Sequence, residues 1–257
     1  MILPGLLGWN IQQNDAFFLD FLVATHLATA LVLIKFFAND WVLISKGIVR
    51  SLAQREIKDT DTYARLGWLL IAGTVPAGLL GILFEEQLRG IFASSRSAAF
   101  FLILNGLLLY AAEALRKRAT HTKELNGDAS LAKLSWTQSL GIGTMQALAL
   151  IPGFSRSGAT MGGGLLVGLS NEDSARFSFL LATPIIFGAA LLKLPEFALP
   201  QNHDLIGPAI VGAICAGVTA YISVRFLLRY FETQRLSRFA LYCLLAGGIS
   251  FAILSLR

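Results

Sequence analysis

An all-α integral membrane protein, with six spans and one re-entrant helical hairpin, is the fold class this sequence predicts. Three observations predict it. Hydrophobic residues make up 55% of the 257 and charged residues only 14%, with a mean hydropathy of +0.64; a soluble domain carries about 25% charge. The apolar residues come in blocks close to the ~20 needed to cross a bilayer. One further apolar region is broken by Pro152, Gly153, Arg156 and Gly162 to Gly164.

The blocks at 16–37, 66–84, 98–115, 175–194, 206–228 and 238–256 read as spans. The broken region, 137–169, has two halves too short to cross. It spans once as a broken helix or enters and returns. Basic residues decide. Lys46, Arg50, Arg55, Lys58 and Arg65 fill one loop, and Arg116, Lys117, Arg118, Lys123 and Lys133 fill another two spans later. Both are cytoplasmic by the positive-inside rule. The intervening 85–97, with Arg89 and Arg96 beside Glu85 and Glu86, lies outside. With 137–169 re-entrant, loop Lys and Arg divide 14 inside to 3 outside; with it crossing, 11 to 6. The re-entrant arrangement is therefore expected. It puts Arg176, Arg229, Arg235 and Arg238 inside and the stretch 195–205 outside. The net charge of +5 is accounted for by these loops, so no nucleic-acid partner is expected. Cys215 and Cys243 fall inside apolar blocks, which argues against a disulfide framework. The first residues lack the basic n-region of a cleavable signal peptide.

A weak internal repeat organises the chain. Residues 21–35 align without gaps on 179–193, with identities Phe21/Phe179, Leu22/Leu180, Ala24/Ala182, Thr25/Thr183, Leu33/Leu191 and Lys35/Lys193. Upstream, 1–7 aligns with 161–166. Three spans per unit turn the second copy upside down, the inverted-repeat plan that builds sites near the bilayer midplane from discontinuous helices. The chain is one polytopic domain: repeat one 1–115, a cytoplasmic connection 116–136, and repeat two 137–257. The second unit opens with a hairpin whose counterpart in the first is missing, since 146–160 has no equivalent.

Arg156 is the most informative residue. An unpaired guanidinium inside a membrane costs several kcal/mol, so it faces protein, water or ligand. It stands in a Gly/Ser/Pro turn ahead of a half-helix whose first N–H groups lack acceptors, a ready anion site. Ser155, Ser157 and Thr160 add hydroxyls, Arg156 grips phosphate oxygens bidentately, and Gly153, Gly158 and Gly162 to Gly164 admit close approach of a ligand. The alternatives are that Arg156 pairs with Asp20 or Glu113, and that the glycines serve helix packing. Gln146 positions a water or phosphate, or bonds across helices. His26, mid-span, reads as a packing residue, Lys35, Lys193 and Arg225 as snorkelling side chains, and Pro76 and Pro184 as kinks. His121 and His203 are scattered, and no soluble-enzyme motif is present.

The string QALALIPGFSRSGAT at 146–160 resembles the second signature of the bacterial undecaprenyl-diphosphatase, or bacitracin-resistance, family. FSFLLATPIIFGAALLK at 177–193, GTVPAGLLG at 73–81, and 20–35 with His26 and Leu27 extend the resemblance over the whole chain. It implies hydrolysis of undecaprenyl diphosphate to the monophosphate, recycling the carrier of cell-wall synthesis in the bacterial inner membrane. It implies six spans with two re-entrant hairpins in an inverted repeat. It implies Arg156 as the diphosphate-binding catalytic residue with Ser155, and Gln146, Gly153, Ser157, Gly158 and Thr160 shaping the pocket. A divalent cation, Mg or Ca, bridging the diphosphate is implied but not tightly bound; the partners expected are the lipid itself and a homodimer mate. Two departures stand out. The family's first signature, a glutamate-rich stretch ending in Ser-Ser-Thr-Gly-His or a close variant, would precede Met1. An internal Met taken as the start, with the motif encoded upstream in frame, is the expected reading; a truncated, inactive chain is its rival. Cys243 stands where the family commonly has Arg. Against the phosphatase stands a non-enzymatic transporter or flippase for an anionic polyprenyl lipid, since inverted repeats with broken helices are a transporter plan.

Overall fold

A computed structural model of the chain describes residues 2–9, 16–58, 60–84, 94–118, 127–197 and 206–256, without the side chains of 16–20, 116–118, 193–197 and 206. Asp20, Lys193, Glu85, Glu86, Arg89, Arg116, Lys117, Arg118, His121, Lys123, His203 and Arg257, named above, therefore lie wholly or by their side chains outside the description.

The helices are α1 (Ile2–Leu7), α2 (Ala16–Phe36), α3 (Ala38–Gln54), α4 (Thr62–Leu83), α5 (Ser95–Arg118), α6 (Asp128–Ala132), α7 (Trp136–Ala147), α8 (Arg156–Leu166), α9 (Asn171–Phe197), α10 (Ile206–Thr233) and α11 (Ser237–Leu256). Among the described residues there is no strand. Five of them, α4, α5, α9, α10 and α11, are long and apolar enough to cross a membrane. The 21 residues of α2 reach ~30 Å at 1.5 Å each, making it the sixth. Pro76 and Pro184 leave α4 and α9 unbroken.

The loop expected at 38–65 is mostly helix. Here α3 leaves α2 through an 80° bend and packs on the start of α4. Ile44, Gly47 and Ser51 share a buried face, at the three-to-four-residue spacing of a helix stripe. A Cβ on Gly47 would stand 2.5 Å from the Ala64 nitrogen, and one on Gly67 within 2.9 Å of Ile44 and Ile48. The charges Lys46 and Arg50 between these positions hid the period in the sequence.

Contacts fix the helix directions. Ser139 Oγ donates to the Leu69 carbonyl at 2.6 Å, Gly143 abuts Gly73, and Leu150 approaches Gly81, so α7 runs parallel to α4. Gly153 abuts Ala98, Gly158 faces Asn105, and Gly162 meets Leu108 and Ala112, so α8 runs parallel to α5. Gln138 reaches the Val167 carbonyl at 3.5 Å and Gly163 meets Ile142 and Met145, so α7 and α8 run antiparallel. The segment enters and returns. Its arms of 12 and 11 residues measure about 18 and 16 Å, and their tip rests one helical turn inside the far end of α5.

Around this hairpin, Gly106 and Gly247 let α11 pack antiparallel on α5, while Gly212 and Gly217 seat α10 against Phe21 and Val32 of α2. Phe37 stacks on Phe179, with centroids 6.5 Å apart. Just beyond, Arg176 binds Asp40 at 2.5 Å and Asp128 at 2.8 Å. These contacts hold the bend after α2 against the first turns of α9. Tyr63 donates to Asp128 at 2.9 Å, so four helices are tied together at the hairpin's mouth.

Candidate functional site

A capping box starts the hairpin: Ser135 Oγ accepts the Gln138 amide at 3.1 Å, and Gln138 Oε1 accepts the Ser135 amide at 2.8 Å. This satisfies two of the donors that every helix N-terminus leaves open. After α7 the chain makes one 3₁₀ turn, Leu148–Leu150, and reverses at Pro152 and Gly153. Gly153 has φ +95°, and a Cβ there would lie 2.0 Å from the Ala98 carbonyl oxygen. Only glycine fits on both counts. Phe154 then packs on Phe101, with centroids 6.0 Å apart, and Ser155 caps α8 by accepting the Gly158 amide at 3.1 Å.

Electrostatically the turn is a donor cluster. The Ser155 cap takes the Gly158 amide and the helix takes the Ala159 amide. The amides of Arg156 and Ser157 are left as first-turn donors with no acceptor among the described residues. The half-buried Arg156 guanidinium points from the same turn, its Nε buried without a partner. No carboxylate among the described side chains comes within ion-pair distance of it. Glu113 is engaged elsewhere: its Oε2 accepts the Leu236 amide at 3.1 Å and caps the approach to α11. Gln146 is 2% exposed, and neither its amide oxygen nor its nitrogen has a partner. A buried polar group left unpaired costs about 1–3 kcal/mol. Gln146 at the end of one arm and Arg156 at the start of the other are thus the hairpin's buried polar groups with unpartnered atoms.

His26 lies on the stripe of Ala30, Leu33 and Phe37, which are 0%, 3% and 4% exposed, and is itself exposed. Nδ1 lies 2.7 Å from the Leu22 carbonyl; a carbonyl only accepts, so Nδ1 carries the proton and the neutral ring presents Nε2 as a base.

The remaining expected residues divide. Arg156, Ser155 and Ser157 gather at the turn. Thr160 is 1% exposed, with its hydroxyl donating to the Arg156 and Ser157 carbonyls at 2.9 and 3.2 Å and bonded to Ser178 of α9. Gly158 faces Asn105, and Gly153 faces Ala98. Gly162, Gly163 and Gly164 meet α5, α7 and α9 in turn. They serve helix packing, not ligand approach, because three helices crowd an eleven-residue arm. Sequence reasoning missed Asn105, fully buried and bonded to the Ser155 amide at 3.3 Å. A carboxamide in the apolar run 98–110 was the available signal.

A multi-pass helical chain with a re-entrant hairpin, whose tip presents an arginine and two first-turn amides without partners among the described residues, defines an integral membrane protein with a polar, discontinuous helical segment. The chain belongs to the family described as Bacitracin resistance protein BacA, which matches over residues 1–249. It is 42% identical to an undecaprenyl-diphosphatase of Mycolicibacterium paratuberculosis, covering 100% of this chain and 90% of the relative. It is 44% identical to undecaprenyl-diphosphatase 2 of Chromobacterium violaceum, over 97% of this chain and 88% of the relative. The undecaprenyl-diphosphatase of Gluconacetobacter diazotrophicus is 43% identical, over 99% and 88%.

Proposed function

We propose that this chain hydrolyses undecaprenyl diphosphate to undecaprenyl phosphate and inorganic phosphate, and so returns the lipid carrier of peptidoglycan synthesis. The observation that carries this reading is the Arg156 turn: a guanidinium without a carboxylate, two open amides and an unpartnered Gln146, all at the tip of a hairpin inside the membrane. Relatives over 40% identical bear the name of that activity.

Phosphoryl transfer needs positioning and neutralisation of charge on the non-bridging oxygens. Arg156 binds two of those oxygens with its planar fork, the Arg156 and Ser157 amides add donors along the helix dipole, and the Ser155 hydroxyl keeps its proton free to donate while its oxygen caps Gly158. Gln146 orients the attacking water. His26 Nε2 takes the water's proton as oxygen bonds to the terminal phosphorus; the bond to the bridging oxygen breaks and the lipid monophosphate leaves. A bridging Mg or Ca ion is held by the diphosphate itself in this reading. Among the described residues no group of three His, Cys, Asp or Glu side chains comes together, so that donor set does not fit a protein-held cation and no step is routed through one.

Loop charge supports a placement in the bacterial inner membrane with the hairpin's mouth toward the cytoplasm. The tip, resting near the far end of α5, then meets substrate from the outer leaflet. The test is phosphate release from a polyprenyl diphosphate by the purified protein in detergent, extended upstream of Met1 to carry the first signature. Release at enzymatic rates is expected. No release, with labelled lipid crossing reconstituted vesicles, would establish the transporter reading instead.

A further inference from the structure

Asn105 lies midway along α5 with none of its surface exposed. A carboxamide is tolerated there only when both ends are satisfied. Its Oδ1 accepts the Ser155 amide at 3.3 Å, and its Nδ2 donates to Cys243 Sγ of α11 at 3.4 Å. The group cannot be turned round. A backbone N–H only donates, so the oxygen must face Ser155, and the nitrogen is then left for the sulfur. The same oxygen bears on α8 a second time, since a Cβ on Gly158 would stand 3.0 Å from it. Ser155 is both the cap of α8 and the residue before Arg156. One polar, directional chain therefore runs from α11 through α5 to the turn that presents the guanidinium. Gly106 packs against Ala240, Leu244 and Cys243 itself, whereas Gly247 packs α11 on α5 away from this chain, against Ala99 and Ile103.

We infer that Asn105, oriented by Cys243, is a positioning residue for the anion site. It sets the depth and direction at which Arg156 and the first-turn amides meet a diphosphate. Acting through Ser155, it touches no reacting atom. The inference rests on the phosphatase reading for the identity of the ligand.

The experiment uses the full chain in detergent, with a polyprenyl diphosphate as substrate and inorganic diphosphate as competitive inhibitor. Asn105→Leu removes both bonds and should raise KM and the inhibitor Ki about tenfold, with kcat falling less than about threefold, the pattern of lost ground-state binding. Cys243→Ser keeps an acceptor for Nδ2 and should stay within about twofold of wild type, whereas Cys243→Ala leaves Nδ2 without a partner and should raise Ki about threefold. Gly247→Ala crowds the α5–α11 packing at Ala99 and Ile103, away from Asn105 and Cys243; it should lower Tm and hold Ki within about twofold. Wild-type Ki in a folded Asn105→Leu chain overturns the inference, as does a Gly247→Ala chain whose Ki rises as far as that of Asn105→Leu. Should Asn105→Leu fail to fold, the two Cys243 variants decide, and equal Ki values for Ser and Ala overturn it. A wild-type chain that neither releases phosphate nor binds inorganic diphosphate overturns the phosphatase reading and this inference with it; an active wild type with unmoved variants overturns this inference alone.

Discussion

Replacing Gly143 by alanine tests whether the depth of the hairpin governs catalysis. Gly143 of α7 lies directly against Gly73 of α4, where an added Cβ would stand 2.0 Å from the Gly73 carbonyl oxygen and 2.7 Å from its carbon. Backbone on both sides leaves no flexible side chain to give way. Opening that contact to even 3.0 Å, the lower edge of real Cβ contacts, moves α7 off α4 by about 1 Å. One turn below, the Ser139–Leu69 bond of 2.6 Å stretches past hydrogen-bonding range. One turn above, Gln146 moves with the arm. Overpacking of this kind costs about 1–3 kcal/mol, and a ~1 Å misplacement of a positioning group costs about 10²-fold in rate.

The assay is phosphate release from a polyprenyl diphosphate, run beside thermal unfolding. Gly141→Ala supplies the control, because that residue shares the arm and has nothing within 4 Å of its added Cβ. It should keep wild-type turnover and unfold no earlier, alanine being the better helix former by about 1 kcal/mol. Wild-type turnover in a folded Gly143→Ala chain would refute the argument that the arm's seat on α4 sets the position of the site.

Three further outcomes are expected. Arg156→Lys keeps the charge but loses the bidentate fork, and turnover should fall about 10²-fold; near-normal turnover would make Arg156 structural. His26→Gln keeps a polar group on the stripe without a base and should lower kcat on the order of 10²-fold, with imidazole in the buffer restoring part of it; an unchanged kcat removes His26 from the chemistry. Ser155→Ala removes the cap of α8, worth about 1 kcal/mol, and should lower both Tm and affinity for inorganic diphosphate, while unaltered affinity would separate the cap from the anion site.

Much of this architecture is legible in the sequence because hydrocarbon imposes strong rules. Six blocks near 20 residues declare six spans, and an arginine behind Pro152 and Gly153 declares a broken, functional segment. The loop charges chose re-entry over crossing, which the parallel seats of α7 on α4 and α8 on α5 show directly. What was illegible depends on which surface meets which. The glycines at 162–164 carry no mark distinguishing ligand approach from packing on three neighbours. His26 is solitary in sequence, and its exposure on a stripe that otherwise buries Ala30, Leu33 and Phe37 is visible only in the structure. The α3 helix was hidden because its buried face is short and interleaved with charge.

The distribution of satisfied and unsatisfied polar groups separates scaffold from site more sharply than residue type does. Within the hairpin, the scaffold groups Ser135, Gln138, Ser139 and Thr160 all have partners, and Ser139 and Thr160 tie the arms to α4 and α9. The exceptions among its described side chains, Gln146 with both amide atoms and Arg156 with its Nε, sit on either side of the reversal. Were they merely tying helices together, the cost of leaving them open would have no return, because a buried polar group earns stability only when paired. Beside two helix amides that lack acceptors among the described residues, they are the groups that the proposed reading offers to a diphosphate, whose several oxygens match them. A lipid tail on that diphosphate would account for a site within the span and not at its mouth.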